Sequence, residues 1–209
     1  MQGTLPGLAA AGHGERIVLP DAELLYFPHF YSAALASAHF RQLLHETAWQ
    51  QDTLSFGGKP VAVPRLQAWY GDANSHYGYS GLKLTLNAWT PLLATIRAEL
   101  QQRLALQFNS VLLNRYRHGN DSVAWHADDE RELGPDPHIA SLSLGTTRRF
   151  EFKHRTRREL GKTVIDLADG SLLLMGSGVQ RHYLHQIPKQ PGLVGERLNL
   201  TFRFIHTMA

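Results

Sequence analysis

Trp125-His126-Ala127-Asp128 and, further along, His182-Tyr183-Leu184-His185 supply the residue types that bind a redox metal. Two imidazoles and one carboxylate hold a non-haem Fe(II) and leave coordination positions open, which suits chemistry with oxygen. On an extended strand, residues two apart project from the same face, so His126 and Asp128 can grip one ion while Ala127 turns away. Either His182 or His185 can provide the second imidazole. The triplet gains weight only from its surroundings, because the chain has 12 histidines and an isolated one more often lies at the surface or in a hydrogen-bonded core.

The surroundings read as strands. In Arg197-Leu198-Asn199-Leu200-Thr201-Phe202-Arg203-Phe204, the apolar Leu198, Leu200, Phe202 and Phe204 alternate with the polar Arg197, Asn199, Thr201 and Arg203. The apolar face feeds a core. The other lines up two guanidiniums, an amide and a hydroxyl, which is costly near a sheet interior unless an anion compensates it. In an ordinary amphipathic strand those arginines would simply lie in water. A second strand, Val111-Leu112-Leu113-Asn114-Arg115-Tyr116, puts Leu112, Asn114 and Tyr116 on one face shortly before the metal triplet. The two polar faces together offer donors for a small dicarboxylate beside an iron.

Asn114-Arg115-Tyr116, then Asp121 to Glu130, then Ile139-Ala140-Ser141-Leu142-Ser143-Leu144-Gly145, then Arg197 to Arg203 occur in an order that resembles the AlkB family of nucleic-acid dealkylating dioxygenases. The resemblance covers residues 54 to 205 and leans towards the animal AlkB homologues that act on DNA. It implies that His126, Asp128 and His185 bind Fe(II); His185 is preferred to His182 because Gln186-Ile187-Pro188 follows it, as the family pattern requires. It implies that Asn114, Tyr116, Arg197, Asn199, Thr201 and Arg203 hold 2-oxoglutarate, with Arg197 on the distal carboxylate and Arg203 at the end that chelates iron. With O2 as the other co-substrate, the implied activity removes the methyl group of 1-methyladenine or 3-methylcytosine as formaldehyde. Arg203 then counts among the catalytic residues with the three ligands.

A base inside a duplex cannot present its methyl group to a buried metal, so such an enzyme takes single strands or flips the base out. The stretch from Gln67 to Gly81 resembles the family's substrate lid, with Tyr77, Gly78 and Tyr79 in the base pocket; Tyr79 and the His126 ring would stack on the base's two sides. Asp129 and Glu130 would accept hydrogen bonds from its exocyclic amino group. Leu54-Ser55-Phe56-Gly57-Gly58-Lys59 reads as a tight hairpin before Val63-Pro64-Arg65. Phe56 at its tip is a candidate wedge for the gap an extruded base leaves, and Arg65 a candidate substrate contact. Net charge is only +3, but basic residues cluster in Arg148, Arg149, Lys153, Arg155, Arg157 and Arg158, expected to meet nucleic-acid phosphates. This basic loop and the aromatic lid argue against a protein or small-molecule substrate, and the complete ligand set against a non-catalytic binding module. The expected partner is alkylated DNA, single or double stranded, or RNA.

The chain's 209 residues suit one domain with a sizeable core, and no linker, repeat or low-complexity tract divides it. Residues 1 to 14 lack periodicity and read as a tail, with the domain over 15 to 209. The apolar stretches are too short to span a membrane, and the absence of cysteine excludes disulfides and thiol ligands. A monomeric cytoplasmic protein from a microbe is expected. Ser32 can cap a helix carrying Ala36, Phe40, Leu43 and Leu44 on one stripe, and Thr90-Pro91 can start another carrying Leu93, Ile96, Leu100 and Leu104. The pattern predicts strands over 111–117, 122–126, 139–145, 148–154, 162–167, 171–175, 182–187 and 197–205. The fold class is α+β and mainly β. A double-stranded β-helix (jelly-roll) core over 111–205 is buttressed by helices, a hairpin and a nucleotide-recognition lid within 15–110.

Overall fold

A computed structural model of the chain describes residues 14–73 and 85–206, so Tyr77, Gly78 and Tyr79 lie outside the described residues, as does the side chain of Phe56. Alternating sequence from residue 110 onward forms β7 (Ser110–Tyr116), β8 (Val123–His126), β9 (Ile139–Gly145), β10 (Arg148–His154), β11 (Lys162–Leu167), β12 (Ser171–Met175), β13 (Tyr183–Ile187) and β14 (Arg197–Arg203). A four-residue helix, α3 (Val179–His182), precedes β13. Earlier in the chain come β1 (Glu15–Leu19), β2 (Ala22–Phe27), α1 (Ala33–Glu46), β3 (Thr53–Phe56), β4 (Lys59–Ala62), β5 (Leu66–Gly71), β6 (Leu86–Asn87) and α2 (Pro91–Leu104).

Eight strands form one sheet in the order β1-β2-β12-β9-β14-β7-β5-β6, four form a second in the order β11-β10-β13-β8, and β3 pairs with β4 alone. The result is a jelly roll. The first half contributes more sheet than its periodicity suggests, because β5 is covered on both faces and a strand buried on both sides loses the alternation that marks it in sequence. Both expected helices form where their caps place them: the Ser32 hydroxyl accepts from Leu35 N–H at 3.3 Å and the Thr90 hydroxyl from Leu93 N–H at 3.2 Å.

The large sheet is covered on both faces. Leu93, Ile96 and Leu100 of α2 and Leu43 of α1 pack with Leu113, Leu142, Leu198, Leu200 and Phe202 on one side. On the other, Tyr26, Leu173 and Met175 meet Phe150, Phe152, Ile165 and Ile187 of the small sheet. Every residue of β14 is therefore buried: its leucines and phenylalanine face the helices, and Arg197, Asn199, Thr201 and Arg203 face the space between the sheets. The strand stops at Arg203, short of the expected end, and Phe204 is 41% exposed rather than part of the core. Gly57 and Gly58 turn the β3–β4 hairpin at φ +57° and +77°, the left-handed region that favours glycine.

Candidate functional site

Strand pairing brings the three candidate metal ligands together. His126 at the end of β8 and His185 in β13 are direct partners across an antiparallel pair, and Asp128 follows two residues after His126. Their ligand atoms all lie within 4.8 Å of one another. His182 is elsewhere: it ends α3, stacks on His154 at 5.8 Å and takes a hydrogen bond from Arg181. His126 Nδ1 is 2.8 Å from the Ala124 carbonyl, which fixes the proton on Nδ1 and leaves Nε2 bare for an ion. Phe150 stacks on the His185 ring at 5.3 Å, with 20° between the planes.

The protonation states suit metal binding. Burial disfavours the charged Asp128, but Arg203, His126 and His185 more than offset it and hold its pKa down to about 2. Burial and the neighbouring His126 lower His185 to about 3, and burial lowers His126 as well. At neutral pH the group therefore consists of one carboxylate and two neutral imidazoles, as metal coordination requires. Arg203 Nη2 takes one Asp128 oxygen at 2.9 Å; the other, Oδ1, is buried without a hydrogen-bond partner. An oxygen so placed is expensive to bury, and a cation would satisfy it, so these residues fit an Fe(II).

Beside this group lies an anion cradle whose members meet because of register. Across β7 and β14, Arg197 pairs with Tyr116, Asn199 with Asn114, and Thr201 with Leu112. Asn114, Tyr116, Asn199, Thr201 and Arg203 line one cavity with His126, Asp128 and His185. Arg197 lies behind the Tyr116 ring, its guanidinium carbon 5.3 Å from the ring centre. It is 1% exposed and donates from Nη2 to Ser143 Oγ at 2.9 Å, while Nε and Nη1 have no hydrogen-bond partner. Burial lowers its pKa to about 10, so it stays charged at neutral pH, and among the described residues no carboxylate pairs with it. Asn199 donates to Ser141 Oγ at 2.8 Å. Asn114 Oδ1 accepts from Arg65 Nε at 2.8 Å and from Gln67 Nε2 at 3.1 Å, so Arg65 borders the cavity while bracing Asn114.

The basic cluster divides. Arg148 is not a phosphate contact: it is 2% exposed and donates to the carbonyls of Asp121 at 2.8 Å and Pro188 at 2.9 Å and to Gln190 Oε1 at 3.1 Å. The period of β10 explains this, because Arg148 shares the inward face of Phe150 and Phe152. Arg155 pairs with Asp129, and Arg157 with Asp21 and Glu159. Arg149 and Arg158 are exposed and Lys153 half-buried; Lys153 Nζ lies 4.4 Å from the Trp125 ring centre. Asp129 is exposed and Glu130 half-buried. Sequence reasoning missed Phe150, Ser141 and Met175, which also line the cavity. Ser141 and Ser143 carried a legible signal, two small hydroxyls at period two in a strand otherwise apolar.

A facial set of two imidazoles and a carboxylate beside a buried cationic cradle is the chemistry of an iron enzyme with an oxo-acid co-substrate. The family model described as "2OG-Fe(II) oxygenase superfamily" matches residues 23–203. The chain is 40% identical over 184 residues to "DNA oxidative demethylase ALKBH2" of Mus musculus, covering 84% of this chain and 77% of the relative. It is 36% identical over 187 residues to "Alpha-ketoglutarate-dependent dioxygenase alkB homolog 3" of Bos taurus, covering 86% and 65%. A solved 2OG-Fe(II) oxygenase-family oxidoreductase from Burkholderia pseudomallei shares the fold, with a TM-score of 0.58 at 14% identity over 89% of this chain and 87% of that one. The chain belongs to the 2OG-Fe(II) oxygenase superfamily, and within it to the AlkB family. It uses Fe(II), with 2-oxoglutarate and O2 as co-substrates. No helix among the described residues is long and apolar enough to cross a membrane.

Proposed function

We propose that this protein is an oxidative demethylase of alkylated DNA, with Fe(II) held by His126, Asp128 and His185. 2-Oxoglutarate would lie against Asn114, Tyr116, Asn199 and Thr201, its carboxylates met by Arg197 and Arg203. The observation that carries the oxygenase chemistry is Arg197, a buried guanidinium with two donor nitrogens, Nε and Nη1, unpartnered beside a His-Asp-His group; a carboxylate of the co-substrate answers both its charge and its donors. The assignment to DNA rests on the relatives' names and on the exposed basic residues Arg149 and Arg158. Held at the His-Asp-His group, Fe(II) with O2 and 2-oxoglutarate would supply the oxidising power to hydroxylate an N-methyl group, so that the co-substrate leaves as succinate and carbon dioxide and the methyl group as formaldehyde.

The chain's own part is positioning. Arg203 holds Asp128 ionised, the Ala124 carbonyl sets the His126 tautomer, and Phe150 fixes the plane of the His185 ring. Tyr77 and Tyr79 are proposed to hold the flipped base against His126, with Asp129 and Glu130 at its edge, and Phe56 to fill the gap in a duplex. The direct test measures formaldehyde from an oligonucleotide carrying 1-methyladenine, with Fe(II), O2 and 2-oxoglutarate each omitted in turn. Turnover that needs all three is expected; a loaded protein that demethylates no alkylated strand refutes the proposal. Phe56→Ala should lose activity on duplex far more than on single strands, and equal loss on both would remove the wedge.

A further inference from the structure

Gln180 is one of the few buried polar side chains near the metal group that neither lines the cavity nor belongs to the anion cradle. It is 2% exposed, and its Oε1 accepts the backbone N–H of Asp128 at 3.0 Å. Its Nε2 points to Met175 Sδ at 3.5 Å. Asp128 lies beyond the last paired residue of β8, so no sheet ladder fixes its backbone. The side chain of Gln180 stands in for the missing ladder.

For that bond to position Asp128, Gln180 must itself be held, and three ties hold it. The Asp136 carboxylate accepts from Ser177 Oγ and from the Gly178 N–H at the start of α3. Gly178 sits at φ +79° so close to β2's entry that a Cβ would come within 2.2 Å of the Asp21 carbonyl. Arg155 Nη2 donates to the Gln180 carbonyl at 2.9 Å and also pairs with Asp129. One guanidinium thus binds the helix that carries Gln180 to the residue after the ligand. We infer that Gln180 is a positioning residue that fixes the Asp128 carboxylate for the metal, with Arg155 closing the brace. The inference rests on Asp128 being a ligand, as proposed above.

Outer partners of metal ligands are typically worth 10- to 100-fold in metal affinity. Gln180→Met keeps the side chain's length and bulk and removes the Oε1 acceptor, together with the weak Nε2 contact to Met175 Sδ. Titrating the metal-free protein with Co(II) alone, read by visible absorption, should show about tenfold weaker binding and altered bands, since the bands report ligand geometry. The melting temperature of the metal-free protein, measured alongside, reports any purely structural effect. Binding within twofold of wild type, with unchanged bands, overturns the inference. If Gln180→Met does not fold, Arg155→Lys decides. A single atom, Arg155 Nη2, meets both the Gln180 carbonyl and Asp129, and a lysine ammonium at the end of a differently shaped stem does not sit where that planar group does, so Co(II) binding should weaken severalfold, and unchanged binding overturns the brace. Asp128→Ala serves as the reference: wild-type Co(II) affinity there would refute the metal assignment itself, a result distinct from failure of Gln180 alone.

Discussion

Arg148 is the residue for which burial and basic composition point in opposite directions, and one variant separates them. Arg148→Met keeps an unbranched side chain in the space but removes the donors that now satisfy the Asp121 and Pro188 carbonyls and Gln190 Oε1. Gln190 Oε1 keeps the Arg149 N–H at 3.0 Å, so two carbonyls are left without a donor, each costing about 1–3 kcal/mol. The expected destabilisation is about 4 kcal/mol, about 2 for each of the two carbonyls. At a urea m value of about 2 kcal/mol/M, the midpoint should fall by about 2 M. Binding to an alkylated oligonucleotide, measured where the variant is still folded, should keep its salt dependence. By contrast, Arg149→Ala should leave the urea midpoint in place and reduce the slope of log K against log salt by about 0.7–0.9, the value of one lost phosphate contact. An Arg148→Met midpoint within about 0.5 M of wild type, or a salt slope reduced by about one, would refute the structural role.

Arg197→Met should raise the KM for 2-oxoglutarate by roughly 30- to 150-fold, because charge-assisted hydrogen bonds worth about 2–3 kcal/mol are lost, while Co(II) still binds; an unchanged KM would remove Arg197 from the co-substrate site. His126→Ala should abolish Co(II) binding and turnover yet retain most of the affinity for an oligonucleotide, a combination a merely structural histidine would not give. Burial opposes the charge on Asp121, but hydrogen bonds from Arg117 hold its carboxyl below the usual carboxylate range. A depressed folded pKa contributes stability in full above the unfolded value of about 3.9, lost as pH falls through the folded one. Arg117→Gln should therefore begin to unfold at higher pH in an acid titration, and coincident acid curves for the two proteins would exclude the pair as a source of stability.

What the sequence showed and hid follows from where period and burial agree. β14 was legible because its two faces differ so sharply, and with β7 it placed Asn114, Tyr116 and the arginines before any coordinates. His126 and Asp128 were candidates from their spacing, and the polar faces of the strands around them gave the triplet its weight. The choice between His182 and His185 needed the family pattern, because the sequence does not show that His182 ends α3 while His185 lies opposite His126. β5 was hidden because a strand covered on both sides loses its alternation, and β1 and β2 because they are short and their apolar and polar residues do not alternate strictly. Arg148 misled because clustering in sequence was read as clustering in space; the alternation of β10 already assigned it to the inward face. Gln180 left no trace, since its bond to the Asp128 backbone depends on a short helix whose position is set by Asp136, far from it in the chain.

β14 carries apolar residues on one face and the proposed co-substrate residues on the other; β9 and β7 pair with its edges, and both faces are buried. Sliding this strand by one residue would push Arg197 and Arg203 into the helices and Leu198, Leu200 and Phe202 into the polar cavity. The helix-side core accepts only the correct alignment, so it proofreads the active site as the chain folds. A molecule with an intact interior but a misaligned cradle is excluded energetically. Loss of activity through folding errors should therefore appear as aggregation or degradation, not as a folded population without function.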